Sequence, residues 1–318
     1  MRVVFAGTPQ PAVPTLQELI DSDDHQVVGV ITRPDTTAGR GRSVVRSPIG
    51  TLADRHAIDV ITPSRMSDPQ VAEALDRWNP EIGMVVAYGG LIPQAVLTAL
   101  PFGWVNLHFS LLPAWRGAAP VQAALAAGDE VTGASVFALE EGLDTGPVFG
   151  TFTEPIAPTD TAGELLDRLA DAGAVFARTV LDGIAADELS PVAQETDGVS
   201  YAPKITVADA RIRWDLPSHL IDRAIRAHTP APGAWTQLDE ARIKVGPVSL
   251  ADDAELLNGT VAPADLPVGR ICAGKKAVYV GTASGAVQLG WVQPPGKKAL
   301  PAADWARGAR LTGAEELA

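Results

Sequence analysis

An asparagine and a histidine two positions apart, Asn106 and His108, stand out as residues that could do chemistry, in the segment GWVNLHFSLLP. The apolar and aromatic residues around them predict a buried β-strand. Because residues two apart on a strand point to the same face, the amide and the imidazole should project together. An Asn amide can donate to a developing oxyanion, and a His can move a proton to or from an amine near neutral pH. The pair therefore indicates acyl transfer to an amine.

A carboxylate that could act on this histidine is Asp144, in EEGLDTGPVFG. Such a group would hold His108 in one tautomer and favour its charged form, so that Asn106 and a protonated imidazole stabilise the oxyanion. It could also take the proton of the attacking amine, and the sequence leaves both roles open. Asp-Thr-Gly is also typical of aspartic proteases, but those enzymes need two such carboxylates. The tripeptide occurs once here, so a protease is not expected.

The elements that position these residues alternate between strands and helices. This alternation over residues 1–189 predicts an α/β domain with a doubly wound, mostly parallel, Rossmann-like sheet. Pro113 cannot donate a ladder hydrogen bond, so the strand that carries Asn106 should end soon after His108. Ligands bind at carboxyl ends of strands in open α/β sheets. The first strand is followed by one glycine, Gly7, and not by the three-glycine fingerprint, so NAD is not expected.

A second, smaller domain is expected after a linker. Residues 190–208 contain two prolines and no periodicity, which is typical of a connection between domains. Residues 209–318 begin with a predicted helix and continue as short segments of strand character separated by turn signals. These predicted strands are AWTQL, RIKVG, GTVA, VGRICA, KAVYVGT and AVQLGWV. This pattern predicts a small β-barrel.

The distribution of charge is more informative than its total. The net charge of −13 argues at first against a nucleic-acid partner. However, residues 1–199 contain 11 Lys plus Arg against 26 Asp plus Glu, whereas residues 200–318 contain 14 against 12. An acidic protein with such asymmetry can still attract a polyanion locally.

A predicted loop of about fifteen residues over positions 33–48 concentrates arginines, and loops of that length are often functional. Its arginines, Arg33, Arg40, Arg42 and Arg46, lie within fourteen positions that contain one acid, Asp35. Arginine forks match phosphate oxygens and stack on bases, so the loop is a candidate nucleic-acid contact.

The single cysteine, Cys272, excludes an intrachain disulfide and a Cys-based metal cluster, and it fits a reducing compartment. No apolar run approaches the length of a membrane span, and the amino terminus does not have the pattern of a signal peptide. We therefore expect a cytoplasmic protein that uses neither a membrane nor a metal, and we expect a monomer.

The segment VNLHFSLLPAWRGAAPVQAALAAGDEVTGASVFALEEGLDTGPV resembles the signature of the folate-dependent formyltransferases. The resemblance extends from VVFAGTP near the start to PPGKKAL near residue 300. It places Asn106, His108 and Asp144 on the catalytic positions of the family. Phe109 departs from the pattern, because the family usually has a small residue there.

The resemblance also implies a fold and two binding sites. The fold is a formyltransferase domain followed by an OB-like barrel that binds tRNA. The implied site for 10-formyltetrahydrofolate comprises Val86, Tyr88, Gly89, Leu91, Ser110, Leu111, Leu112 and Pro113. The implied tRNA contacts are Arg33, Arg40, Gly41, Arg42 and Arg46. Thr36 and Thr37 stand where many relatives have Arg-Pro.

The function implied by the resemblance is transfer of a formyl group from 10-formyltetrahydrofolate to the amine of methionyl initiator tRNA, for translation initiation. Two alternatives remain open from the sequence. One is a formyltransferase acting on a small amine, a glycinamide ribonucleotide or an amino sugar. The other is a non-catalytic module that binds folate or tRNA.

Overall fold

The computed structural model describes residues 1–38, 43–252 and 255–318. The chain divides into two compact units, each built from more than one stretch of sequence. The first unit comprises Met1–Pro120, Val131–Pro155 and Leu166–Ala202, and the second comprises Val121–Glu130, Ile156–Leu165 and Pro203–Ala318. The first unit therefore extends into the predicted linker.

The first unit is built on a seven-stranded sheet, and it also contains two small strand pairs. Its strands are β1 Arg2–Gly7, β2 Gln26–Ile31, β3 Thr36–Ala38, β4 Ser43–Val45, β5 Val60–Ile61, β6 Ile82–Val86, β7 Trp104–His108, β8 Arg116–Gly117, β9 Val131–Ala138, β10 Val148–Pro155 and β11 Tyr201–Ala202. The order across the large sheet is β10-β9-β7-β6-β1-β2-β5. The helices are α1 Val13–Ile20, α2 Pro48–Arg55, α3 Pro69–Trp78, α4 Gln94–Leu97, α5 Pro120–Ala127 and α6 Ala162–Ala185, the last two of which cross the division between the units.

The predicted α/β architecture with a mostly parallel sheet is confirmed. The five strands from β7 to β5 are parallel to their neighbours. The strands β9 and β10 at the other edge run antiparallel. A loop over residues 139–147 joins these two strands, and an antiparallel pair needs no helical crossover. The edge pair could not be distinguished from parallel strands by its apolar character alone.

Two tryptophan rings lie across glycines in the middle of this sheet. A Cβ atom on Gly83 of β6 would stand 2.1 Å from the ring of Trp104, its register partner on β7. Gly29 on β2 makes the same room for Trp78, at 2.2 Å. The indole of Trp104 also donates to the Val96 carbonyl at 2.9 Å. These contacts hold Trp104 on one face of β7, and they thereby determine the face on which each of the strand's other side chains lies.

The prediction of a loop over positions 33–48 is wrong in one respect, because two stretches within it form β-strands. Strands β3 and β4 pair as an antiparallel hairpin, with Thr36 opposite Val45. Thr and Val favour strands, and here the β-branched residues outweighed the glycines and prolines used to predict a loop. The predicted contacts Arg40, Gly41 and Arg42 lie outside the described residues.

The second unit contains two four-stranded antiparallel sheets and two further helices. Its elements are α7 Ser218–Ala227, β12 Trp235–Leu238, β13 Ala241–Val245, β14 Val248–Leu250, β15 Ile271–Ala273, β16 Val278–Gly281, β17 Ala286–Leu289, β18 Trp291–Gln293, β19 Leu300–Pro301 and α8 Ala302–Ala309. The sheet orders are β12-β13-β18-β19 and β14-β17-β16-β15. One apolar cluster takes residues from both sheets and from both helices. The predicted small domain of antiparallel strands is confirmed.

Three details of the second unit differ from expectation. The segment GTVA, expected as a strand, forms only an isolated bridge between Leu257 and Val261. The predicted strand AVQLGWV is divided at Gly290 into β17 and β18. The sequence reading missed helix α8, whose Trp305 and Ala306 are buried.

The described parts of the chain contain no helix that is both long and apolar enough to cross a membrane. Among the same residues, no group of three or more His, Cys, Asp or Glu side chains is placed to hold a metal ion.

Replacing Gly83 by alanine should destabilise the first unit by about 1–3 kcal/mol, because the added methyl group would overlap the Trp104 ring in a closed core. The measurement is denaturant unfolding followed by circular dichroism. Gly308→Ala is the matched control, since a Cβ there meets nothing within 4 Å and lies in α8. The control should change stability by less than about 1 kcal/mol, in the stabilising direction. Equal stability of Gly83→Ala and wild type would contradict this packing argument.

Candidate active site

Strand β7 carries the two polar residues that were predicted to act together. In the sheet register, Asn106 pairs with Val85 of β6 and Phe137 of β9, and His108 pairs with Ser135 of β9. The strand ends at His108, as expected from the proline that follows. Asn106 is half-buried and His108 is buried. Because they are two residues apart, both side chains project from one face of the strand.

The imidazole of His108 has a different environment at each nitrogen. Its Nε2 lies 2.9 Å from the carbonyl oxygen of Trp115. A carbonyl can only accept, so Nε2 carries a proton and donates it. Its Nδ1 lies 3.7 Å from Oδ2 of Asp144, and the Phe137 ring stands almost perpendicular to the imidazole, with the ring centroids 6.3 Å apart. In the neutral form, Nδ1 is therefore the nitrogen that can accept a proton.

Burial lowers the pKa of His108 below its ordinary value of 6.5, although the charge of Asp144 and the hydrogen bond to the Trp115 carbonyl both raise it. Desolvation disfavours the charged imidazole and is the larger effect. The resting side chain is therefore neutral at neutral pH. The expectation that a protonated His108 helps to stabilise the oxyanion concerns the reacting complex and stays a prediction. The sequence does not show how completely the ring is buried, and that burial favours the neutral form before the amine attacks.

The carboxylate of Asp144 is held from the backbone of a neighbouring segment. Its Oδ2 accepts a hydrogen bond from the Gly117 amide at 2.7 Å. Asp144 has a left-handed backbone, with φ of 50°. Its side chain is 13% exposed, so the carboxylate is shielded without being sealed from solvent. The structure brings Asp144 and His108 together as predicted, at a distance longer than a direct hydrogen bond.

Sequence reasoning missed a group of residues that hold this arrangement. Trp115 supplies the carbonyl that binds His108, and its own amide donates to the Ser200 hydroxyl at 2.9 Å. The Gln194 amide nitrogen donates to the carbonyls of Asp144 and Gly146, both at 2.8 Å. Gln194 and Ser200 lie in the predicted linker, where nothing in their type or spacing distinguishes them from solvent-exposed residues.

The segment that follows His108 is fixed to the sheet by serines. Ser110 is fully buried, and its hydroxyl donates to the Ala114 carbonyl at 2.6 Å. The Ser135 hydroxyl donates to the Ser110 carbonyl at 2.7 Å, while the Leu112 amide donates to Ser135 at 3.1 Å. The hydroxyl of Ser110, predicted to contact folate, is therefore used within the protein. Leu111, Leu112 and Pro113 are half-buried and remain partly accessible.

The other predicted folate segment follows strand β6. Val86 and Tyr88 are buried, Gly89 is exposed with φ of 74°, and Leu91 is 91% exposed. The Tyr88 hydroxyl is buried and has no hydrogen-bond partner among the described residues. Burial raises the pKa of Tyr88, so the hydroxyl remains protonated and able to donate. A buried donor without a partner is the kind of group that an ordered water or a ligand can satisfy.

The two described arginines of the predicted tRNA contact have different surroundings. Arg33 is exposed. Arg46 donates to both carboxylate oxygens of Asp54, at 2.8 and 2.9 Å, and lies 3.6 Å from Asp35. The sequence reading counted one acid near these arginines and missed Asp54, which helix α2 brings back to Arg46. Arg46 is therefore already paired with carboxylates in the protein alone.

Two family matches cover most of the chain. Residues 1–181 match the family described as formyl transferase, and residues 204–310 match the formyl transferase C-terminal domain. Among curated proteins, the methionyl-tRNA formyltransferase of Rhodococcus erythropolis (strain PR4 / NBRC 100887) is 61% identical over 311 residues, which is 98% of each chain. The protein of that name from Mycolicibacterium vanbaalenii is 56% identical, again over 98% of both chains.

A solved structure of similar fold is the methionyl-tRNA formyltransferase of Clostridium thermocellum, with a TM-score of 0.57 and 18% identity. The alignment covers 79% of this chain and 94% of that one. At this identity the likeness concerns the fold alone. The two domain matches and the full-length similarity together show that the chain belongs to the formyl transferase family.

Proposed function

We propose that this chain transfers the formyl group of 10-formyltetrahydrofolate to the amino group of methionyl initiator tRNA. The observation that carries the proposal is the 61% identity to the Rhodococcus erythropolis methionyl-tRNA formyltransferase across 98% of both chains. The site geometry is consistent with that activity, since an amide, an imidazole and a carboxylate converge in the first unit.

The proposed chemistry assigns one task to each of the three side chains. The Asn106 amide donates to the oxygen on which negative charge develops during attack by the amine. The attacking amine loses a proton, and His108 accepts it at Nδ1, its free nitrogen. Asp144 then lies 3.7 Å from a positively charged ring and stabilises it. When the bond between the formyl carbon and N10 of the folate breaks, His108 gives this proton to N10, and tetrahydrofolate leaves. Of the two roles left open by the sequence, this assigns Asp144 to the histidine and not to direct proton transfer.

The residues near β6 fit a folate. Tyr88 offers a buried hydroxyl without a partner among the described residues, and Leu91 offers an exposed apolar face. Backbone groups around Gly89 are accessible, since a Cβ there would meet nothing within 4 Å. We infer that Val86, Tyr88, Gly89 and Leu91, together with Leu111, Leu112 and Pro113, hold the folate, which supplies the formyl group. Ser110 would act by shaping the segment.

The proposal for tRNA rests on the hairpin β3–β4, on the residues between its strands and on the second unit. Arg40, Gly41 and Arg42 remain the proposed contacts to RNA, with Arg33 beside them in sequence. We give Arg46 a smaller part, because contact with a phosphate would compete with its two-bond pairing to Asp54. We further propose a cytoplasmic monomer.

The alternatives are less well supported. Formyltransferases of other substrates share the fold, so the fold does not separate them. The identity over both domains favours the tRNA substrate over a glycinamide ribonucleotide or an amino sugar. A non-catalytic binding module would not require a buried imidazole with one nitrogen directed at a held carboxylate.

The direct test compares wild type with Asn106→Ala, His108→Ala and Asp144→Ala on methionyl-tRNA, a glycinamide ribonucleotide and an amino-sugar nucleotide. Wild type should formylate only methionyl-tRNA. Loss of the Asn106 donor should lower kcat about 10²–10³-fold, and loss of His108 about 10²–10⁴-fold. Combined substitutions should cost much less than the product, because the groups act as a unit.

Affinity for tRNA, measured by filter binding, should be nearly unchanged in all three variants. Near-normal turnover of His108→Ala would remove that residue from the chemistry, and formylation of another amine by wild type would overturn the substrate assignment.

The pH dependence of kcat/KM should follow the titration of His108, because the neutral imidazole is the form proposed to accept the proton. Activity should fall on the acid side as His108 becomes protonated, with an apparent pKa below 6.5 because burial lowers it. Asp144→Asn removes the charge that favours the protonated ring, so the remaining activity should show this limb at a lower pH than wild type. Activity that rises on acidification through this range would show that the protonated imidazole is the working form.

The arginines between β3 and β4 should determine how strongly kcat/KM for tRNA depends on the salt concentration. The variant Arg40→Ala/Arg42→Ala should lose kcat/KM for tRNA more than folate binding, and its slope against log salt should be shallower by roughly one unit per lost phosphate contact. The control is Arg77→Ala, which removes a positive charge that is paired with Asp59. Equal slopes in wild type and the double variant would mean that these arginines do not touch the RNA.

A further inference from the structure

Residues 192–202, which we name the bracing segment, lie against the loops that carry the site. At one end, Val192 forms an antiparallel bridge with Val148 at the start of β10. At the other end, β11 pairs in parallel with β8, so that Tyr201 lies opposite Arg116. The family matches end at residue 181 and resume at residue 204, so neither includes this segment. The segment belongs wholly to the first unit.

The side chain of Gln194 joins the two loops that meet at the catalytic carboxylate. Its Nε2 donates to the carbonyls of Asp144 and Gly146, each at 2.8 Å. Its Oε1 accepts from Nη2 and Nε of Arg116, at 2.7 and 3.2 Å. The side-chain amide of Gln194 therefore donates to one loop through Nε2 and accepts from the other loop through Oε1. The residue after Arg116 is Gly117, whose amide holds the Asp144 carboxylate at 2.7 Å.

Ser200 holds the loop on the other side of the imidazole. Its hydroxyl accepts from the Trp115 amide at 2.9 Å, and its carbonyl accepts from the Arg116 amide at 2.9 Å. Trp115 is the residue whose carbonyl binds His108. Ser200 therefore fixes the peptide that in turn fixes the ring.

Both residues held in this way have an unfavourable backbone. Asp144 has φ of 50° and Trp115 has φ of 57°. Residues other than glycine hold such conformations only where the surrounding contacts determine them. The hydrogen bonds from Gln194 and Ser200 are made to these two residues, which are the partners of the two nitrogens of His108.

We propose that Gln194 and Ser200 are positioning residues for formyl transfer, which keep Asp144 and the Trp115 carbonyl in place on either side of His108. The role in catalysis rests on the proposed function, whereas the role in placing Asp144 does not. Groups that orient a metal ligand without touching substrate typically contribute about 10- to 100-fold when removed, and we expect an effect of the same order here.

The pKa of His108 is a measurable quantity that tests this positioning role specifically. Asp144 is the charged group that acts on the ring, which also has the Trp115 carbonyl and the Phe137 ring beside it. If Asp144 moves away, its favourable charge is lost and the pKa of His108 falls. General loosening of the fold would instead expose the ring and raise the pKa toward its ordinary value.

The test uses the full chain with Gln194→Ala, Gln194→Glu and Ser200→Ala, and with Glu195→Ala as the control on an exposed neighbour. Gln194→Glu is isosteric and can still pair with Arg116, but it has no donor for the carbonyls of Asp144 and Gly146. We expect kcat to fall about 10- to 100-fold in the Gln194 variants, with KM for folate and for tRNA nearly unchanged. The control should behave as wild type.

The second readout is titration of His108 by NMR in the same proteins without substrate. We expect both Gln194 variants to shift the pKa of His108 downward, in the direction of Asp144→Asn. Wild-type kcat and an unchanged pKa of His108 in these variants would overturn the proposal. A lower kcat accompanied by early thermal unfolding and a raised pKa of His108 would also overturn it, because it would indicate general destabilisation.

Ser200→Ala removes a single hydrogen bond and keeps the proposal testable if the Gln194 variants do not fold. It should lower kcat without lowering the melting temperature markedly, and wild-type kcat would remove Ser200 from the proposed role. Absence of formylation by wild type would overturn the proposed function alone, since the NMR titration would still show whether Gln194 places Asp144.

Discussion

The hydrogen bond from His108 Nε2 to the Trp115 carbonyl is the contact on which the site depends. A carbonyl oxygen accepts only, so this bond commits one nitrogen as a donor and leaves the other as the nitrogen that we propose accepts the proton of the amine. Burial of the ring keeps it neutral, and a carboxylate at 3.7 Å is placed to stabilise the proton once it arrives. The same low-polarity surroundings that lower the pKa of the ring also strengthen its attraction to Asp144 when it becomes charged.

The rest of the first unit can be understood as support for this geometry. Trp104 lies across Gly83 and fixes β7 against β6. Ser135 on β9 holds the turn after His108 from the other side. The loops that carry Trp115 and Asp144 cannot be held by the sheet in this way, because they lie beyond its strands. They are instead held by residues 192–202, a stretch between the two family matches.

The features that follow from local pattern could be predicted from the sequence. The strand at Asn106 and His108 was predictable because apolar residues alternate with the two polar ones and a proline ends the run. The alternation of strands and helices indicated the α/β unit, and short strands with turns indicated the second unit. The pairing of β9 with β7 in the antiparallel sense was not predictable, since an apolar strand does not record the direction of its neighbour.

The features that depend on distant parts of the chain were missed. The hairpin β3–β4 is not evident from the sequence, because the glycines and prolines of this stretch are more conspicuous than its β-branched residues. The pairing of Arg46 with Asp54 depends on where helix α2 begins. The neutral state of His108 depends on burial by several elements at once. Gln194 gave no signal because its importance comes only from the two loops that it joins.

The most direct test of this account is the tautomer of His108, measured by ¹⁵N NMR of the ring nitrogens in the protein at neutral pH. We predict a neutral ring with the proton on Nε2 and an unprotonated Nδ1 facing Asp144. A proton on Nδ1 at neutral pH, whether on a neutral ring or on a charged one, would contradict it, because the atom proposed to accept the amine's proton would already be occupied.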